Sequence, residues 1–214
     1  MNDNPTVEAF LSEIIRQKDD PAGLLSLRMP DDLPDGTRSC ILHRIEALAE
    51  ERKNTWAPGT LLILLGHCQS TVRAGALRGL AFIRRGDGCI QYILRAVADP
   101  DPEVRDAAAF ALESCQTPGA EELLWHLLAA EETMVQFSAA YSLKQTAVLI
   151  NKDKYLEELR DHEILKVRCI LGERALRDRR LFAEAGAILK EQWEYIVNTI
   201  GVEDLPDLPA EFGW

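Results

Sequence analysis

The chain has 214 residues, 47% of them hydrophobic and 28% charged, and a formal net charge of −11. That length allows one large domain or two small ones around a sizeable core. The acidic balance argues against a general nucleic-acid binder, whose affinity comes largely from Lys and Arg neutralising phosphates, and the polar start MNDNPTVEAF lacks the positive n-region of a signal peptide.

In chain order, residues 5–17 predict an amphipathic helix, followed by a loop-rich run through MPDDLPDGT (29–37). The most apolar run, APGTLLILLGHC (57–68), is too short to cross a bilayer, so the expectation is a soluble, cytoplasmic protein. Five scattered cysteines, Cys40, Cys68, Cys89, Cys115 and Cys169, form no CxxC pair and predict buried, reduced thiols.

A repeat organises the middle of the chain. STVRAGALRGL (70–80), PEVRDAAAFAL (102–112), TMVQFSAAYSL (133–143) and the weaker LKVRCILGERA (165–175) align on Val72, Val104, Val135 and Val167, at steps of 32, 31 and 32 residues. A degenerate earlier copy is expected in SCILHRIEALAE (39–50). Each unit pairs a first helix of large apolar residues (59–67, 88–99, 120–131, 154–162) with a second helix that begins at the valine. Asp99-Pro100 stops one helix and Asp101-Pro102 starts the next, because proline disfavours helix before it and suits a helix's first turn, while Asp caps the N-terminus.

On the second helices, positions +3, +4, +7 and +8 from the valine share its face. They hold small residues, such as Gly75, Ala107 and Ser138 at +3, bracketed by Leu80, Leu112 and Leu143 at +8, so neighbouring helices can approach closely. Positions +2, +5, +6 and +9 are then expected to point away from the core. RRGDGC (84–89) reads as a tight turn between repeats.

The ends are less regular. Residues 160–190 hold eight basic and five acidic side chains, a local excess of +3 within an otherwise acidic chain, and RALRDRR (174–180) reads as a helix end whose cations sit near the C-terminal dipole. Residues 181–200 predict a last helix. The acidic, proline-rich tail 201–214 either caps the last repeat or offers Leu208, Phe212 and Trp214 as a short linear motif.

The pattern D-P-x-V-R-x-x-A-x-x-A-L, clearest at Asp101–Leu112, resembles the HEAT-like repeats of phycobilin lyase subunits and many bacterial scaffold proteins. The resemblance covers about residues 57–176. It implies an all-α fold, an α-solenoid of about five helical hairpins with terminal capping helices, and second helices that line a concave face. The resulting division is 1–56 for the N-terminal helices and degenerate repeat, 57–176 for the repeats, 177–200 for the capping helix and 201–214 for the tail. Arg73, Arg105 and Arg168 are expected to be structural, bridging to acids or carbonyls of neighbouring units, with Gln136 in the third place.

The outward positions single out Phe110, Phe137 and Tyr141, surrounded by Asp106, Arg78, Glu113 and Lys144. Grouped surface aromatics with charged neighbours are what binding hot spots contain; tight curvature or a folded-in tail would instead bury them. The four histidines show no metal-ligand spacing, and no P-loop, GxGxxG or GxSxG occurs. The expectation is therefore a non-catalytic protein without cofactor or metal, binding a protein partner of basic character through the concave face. An immunity protein neutralising a bacterial toxin is one version. The resemblance also implies two alternatives: a chromophore-lyase subunit acting on a bilin, with Cys169 as the thiol placed to touch it, and a HEAT-like DNA glycosylase, which the net charge disfavours.

Overall fold

The computed structural model describes residues 5–30, 33–47, 57–83, 90–115, 117–146 and 150–200. The 84–89 turn with Cys89, the end of the degenerate repeat (48–50) and the tail 201–214 with Leu208, Phe212 and Trp214 lie outside the described residues. Among the described residues there are twelve helices and no strand: α1 (Pro5–Arg16), α2 (Pro21–Ser26), α3 (Asp35–Ala47), α4 (Ala57–Leu64), α5 (Ser70–Ile83), α6 (Ile90–Val97), α7 (Pro102–Glu113), α8 (Pro118–Leu128), α9 (Thr133–Gln145), α10 (Lys152–Asp161), α11 (Leu165–Arg177) and α12 (Phe182–Ile200).

The helices pack as four sequential hairpins, α4/α5 through α10/α11, preceded by α2 against α4 and α3 against α5, the architecture of an α-solenoid. Helices α3, α5, α7, α9 and α11 form one layer in which each packs on the next. Helices α4, α6, α8 and α10 each pack beneath their own hairpin partner. One end is closed by α1 against α3, and the other by α12 against α10 and α11. The short α2 falls in a stretch whose composition predicts only loop.

The corners behave as their residues dictate. Asp101 caps α7 by accepting a hydrogen bond from the Glu103 N–H at 2.9 Å, with Pro102 in the first turn. Thr117 and Pro118 do the same for α8, and Asn151 caps α10. In three of the four repeats the residue five before the valine turns the corner by accepting a main-chain N–H two residues on: His67 Nδ1 from Gln69 (3.1 Å), Asp99 Oδ1 from Asp101 (3.0 Å) and His162 Nδ1 from Ile164 (3.1 Å).

The arginine after the valine then ties units together. Arg73 donates from Nη1 to the carbonyls of His67 and Cys68 in its own corner, and from Nε and Nη2 to both carboxylate oxygens of Asp99 in the next, at 2.9 and 2.8 Å. Arg105 repeats this with the carbonyls of Asp99 and Pro100 and with Glu132, 2.6 Å away. Arg168 donates to the His162 carbonyl and to Gln192 on α12. Gln136 reaches only the Ala130 carbonyl, and its buried Oε1 has no partner.

The core forms two clusters, an N-terminal one around Ile14, Ile41, Leu61 and Leu80 and a longer one from Leu42 to Ile196, with the half-buried Leu65 packed against both. Burying a leucine such as Leu112 stabilises the fold by about 2 kcal/mol. The small residues serve close approach: a Cβ at Gly75 would lie 3.0 Å from the Leu42 carbonyl and 3.1 Å from the Ile45 Cβ on α3. Two cysteines depart from expectation. Cys115 and Cys169 are buried, but Cys40 and Cys68 are exposed, Cys40 because Ile41 and Leu42 take the inward face of α3.

Two glycines give opposite predictions. Gly75→Val is expected to destabilise by about 1–3 kcal/mol in urea unfolding, since α3 and α5 have no room for it. Gly59→Ala in α4, where an added Cβ meets nothing within 4 Å, is expected to stabilise by about 0.5–1 kcal/mol.

Candidate functional site

Because the second helices are flanked on both sides within their layer, less of each is exposed than a lone amphipathic helix would show. Position +2 is not outward: Ala74, Asp106 and Cys169 are buried, and only Phe137 is half-exposed. Position +5 is buried throughout, at Leu77, Ala109, Ala140 and Gly172. The open row runs along +6, with Arg78, Phe110 and Glu173 half-buried and Tyr141 50% exposed. It continues at +10 with Phe82 and at −1 with Met134 and Lys166, which lie on the same stripe.

A groove of about 380 Å³ runs over this row. Phe110 and Glu113 of α7, Phe137 and Tyr141 of α9 and Arg78 of α5 line it, and Ser138, Ser142, Lys166 and Ile170 complete it. Five of the seven residues singled out in the sequence thus share one depression. The other two hold it together: Asp106 lies beneath the row, and Lys144 reaches across the Tyr141 ring, its Nζ 5.0 Å from the centroid.

The aromatic rings are held in place by polar ties between helices. Arg78 Nη2 donates to Asp106 Oδ2 at 2.7 Å and the Ser138 hydroxyl donates to Asp106 Oδ1, so one buried carboxylate bridges α5, α7 and α9. The Arg78 guanidinium lies 5.1 Å from the Phe110 centroid, and Phe82 packs against Phe110 at 5.9 Å. Lys144 donates to Glu173 at 2.6 Å, linking α9 to α11, and Arg177 closes on the same carboxylate at 2.8 Å. Phe137 rests partly on the core. Partial burial raises the Glu113 carboxyl above its ordinary range.

Among the described residues no group of three or more His, Cys, Asp or Glu is placed to hold a metal. Cys169, expected to be outward at its +2 position, is 4% exposed, and burial pushes its thiol up to about 11. Trp125 is buried in the first-helix layer against Tyr155, with its indole N–H donating to Glu121. The basic run after α11 is partly neutralised locally: Arg180 grips Asp178 and holds that carboxyl down at about 2. Among the described residues no helix is long and apolar enough to cross a membrane.

Phe82, Met134, Ser138, Lys166 and Ile170 escape a reading based on +2, +5, +6 and +9. The seven-residue step from −1 to +6 and the four-residue step from +6 to +10 are the signals that would have found Phe82, Met134 and Lys166.

Residues 57–144, from the start of α4 nearly to the end of α9, match a family model described as HEAT repeats. No curated protein matches the chain.

Asp106→Ala is expected to cost roughly 3 kcal/mol in denaturant unfolding, because it strands the half-buried Arg78 guanidinium and the Ser138 hydroxyl. Asp106→Asn retains an acceptor for one of them and is expected to lose about half as much.

Proposed function

We propose that this chain, which belongs to the HEAT-repeat family across residues 57–144, binds a protein partner through the groove of α5, α7, α9 and α11. HEAT repeats are in general protein-interaction scaffolds. The observation that carries the reading is the half-open aromatic row. Phe110, Phe137 and Tyr141 come from two neighbouring helices, are fixed by ties on either side, and line one depression.

Rigid aromatics lose little entropy on binding and bury large areas, so such clusters dominate the energy of interfaces. The partner supplies apolar side chains to the row. Charge sets its approach: a chain with a net charge of −11 draws in a basic partner and repels an acidic one. An inhibitor that neutralises a basic toxin is one form of this activity. The bilin-attachment alternative offered Cys169 as the thiol placed to touch the chromophore, and that thiol is buried and lends it no support.

The experiment is affinity capture from the source organism's lysate with the wild-type chain and with a Phe110→Ala, Phe137→Ala, Tyr141→Ala variant, its fold checked by circular dichroism. A captured protein is then titrated calorimetrically. The expected result is one stoichiometric, basic partner whose Kd rises at least about 100-fold with the variant. Equal affinity for both chains would move the site off this groove.

A further inference from the structure

The corner at residues 67–69 does more than turn the chain. His67 is 1% exposed, and both ring nitrogens are committed. Its Nε2 lies 2.9 Å from the Leu27 carbonyl, which only accepts, so Nε2 carries the hydrogen. Its Nδ1 accepts the Gln69 main-chain N–H, so that nitrogen carries none. The ring is therefore the neutral Nε2–H form. Gln69 then pairs through its side chain with both main-chain groups of Met29: its Oε1 accepts the Met29 N–H at 2.8 Å, and its Nε2 donates to the Met29 carbonyl at 2.9 Å. These bonds join two stretches 40 residues apart and hold Leu27–Pro30 against the first repeat.

The same segment forms one wall of a groove of about 570 Å³ whose floor includes Phe10 and Ile41. Met29 itself is buried in the N-terminal core.

The charged groups around the ring do not welcome a second proton. Arg28 approaches from the Leu27–Pro30 segment and Arg73 from α5, and Asp99, from the next corner, is already engaged by both forks of Arg73. Burial lowers the imidazole below its ordinary value of 6.5, and the two guanidiniums act in the same direction, against the Leu27 carbonyl. A group with a lowered folded value binds protons more readily when released. The bonds are thus at full strength above about 6.5 and weaken as pH falls through that value towards the folded one.

We propose that the His67–Gln69 corner is a proton-operated latch, in which a proton on His67 Nδ1 displaces the Gln69 N–H and releases Leu27–Pro30 from the repeat array. The latch is local: of the arginine ladder it touches only Arg73, through the His67 and Cys68 carbonyls, and the core of α7 and α9 contains no part of it. Its effect is to open the N-terminal groove in mildly acidic solution while the array stays folded.

The test is residue-resolved hydrogen exchange on the full chain at pH about 7.5 and about 5, corrected for intrinsic rates. Exchange at the Met29 and Gln69 amides is expected to accelerate at least about tenfold at the lower pH, with Ala108 and Leu112 in α7 unchanged. The His67→Gln variant, which does not titrate, is expected to show no acceleration. No change in the wild type, equal acceleration in the variant, or simultaneous loss across α7 would overturn the latch. Should the variant fail to fold, the wild-type His67 ring titration followed by NMR takes its place: it must share its midpoint with the Met29 change, and separate midpoints would overturn the proposal.

Discussion

The arginine that follows the repeat valine is the interaction on which the order of this array rests. A planar guanidinium has donors enough to reach two partners at once. Arg73 and Arg105 both bind the carbonyls at the end of one unit's first helix and a carboxylate at the next unit's corner, Asp99 by both oxygens for the first and Glu132 for the second. Hydrophobic packing alone is non-directional and tolerates sliding between helices. A two-ended polar tie at the corner does not, so each second helix is set at a defined register on its neighbour. The aromatic row depends on that register, because Phe110, Phe137 and Tyr141 share a groove only if α7 and α9 align.

The ladder is interrupted where Gln136 replaces arginine. That side chain satisfies one corner carbonyl and reaches no neighbour. The tie between α9 and α11 is carried elsewhere, by Lys144 and Glu173 at the far end of the helices, and between the first helices by Glu121. This buried carboxylate accepts the Ile150 and Asn151 N–H groups ahead of α10 and the Trp125 indole. The Tyr155 hydroxyl adds a bond to the Leu171 carbonyl. At the C-terminal end Arg168 meets a neutral partner, Gln192 of the last helix, in place of another repeat's acid.

Much of this fold is legible in the sequence, because the repeat writes packing and corner chemistry at fixed spacing. Val72, Val104, Val135 and Val167 are all fully buried, as are Ala76, Ala108, Ala139 and Leu171 at +4. Asp101 and Pro102 start a helix where their chemistry requires one. The candidate site is legible only in part. A helical wheel separates inside from outside but does not say how far flanking helices close over the sides, so Asp106 and Cys169 look exposed and are buried. The role of His67 is hidden for another reason: the corner position holds His67, Asp99, Ala130 and His162 in successive units, and only geometry shows that imidazole and carboxylate accept the same N–H there.

The most direct measurement on the account as a whole is a double-mutant cycle on Arg73 and Asp99, with unfolding followed in urea for the wild type, Arg73→Ala, Asp99→Ala and the double variant. Both side chains are mostly buried and their bond is bidentate, so the coupling is expected to exceed about 1.5 kcal/mol, with each single change costing nearly as much as the double. Additive losses would show that the corner tie does not join the units, and that packing alone sets the register on which the groove depends.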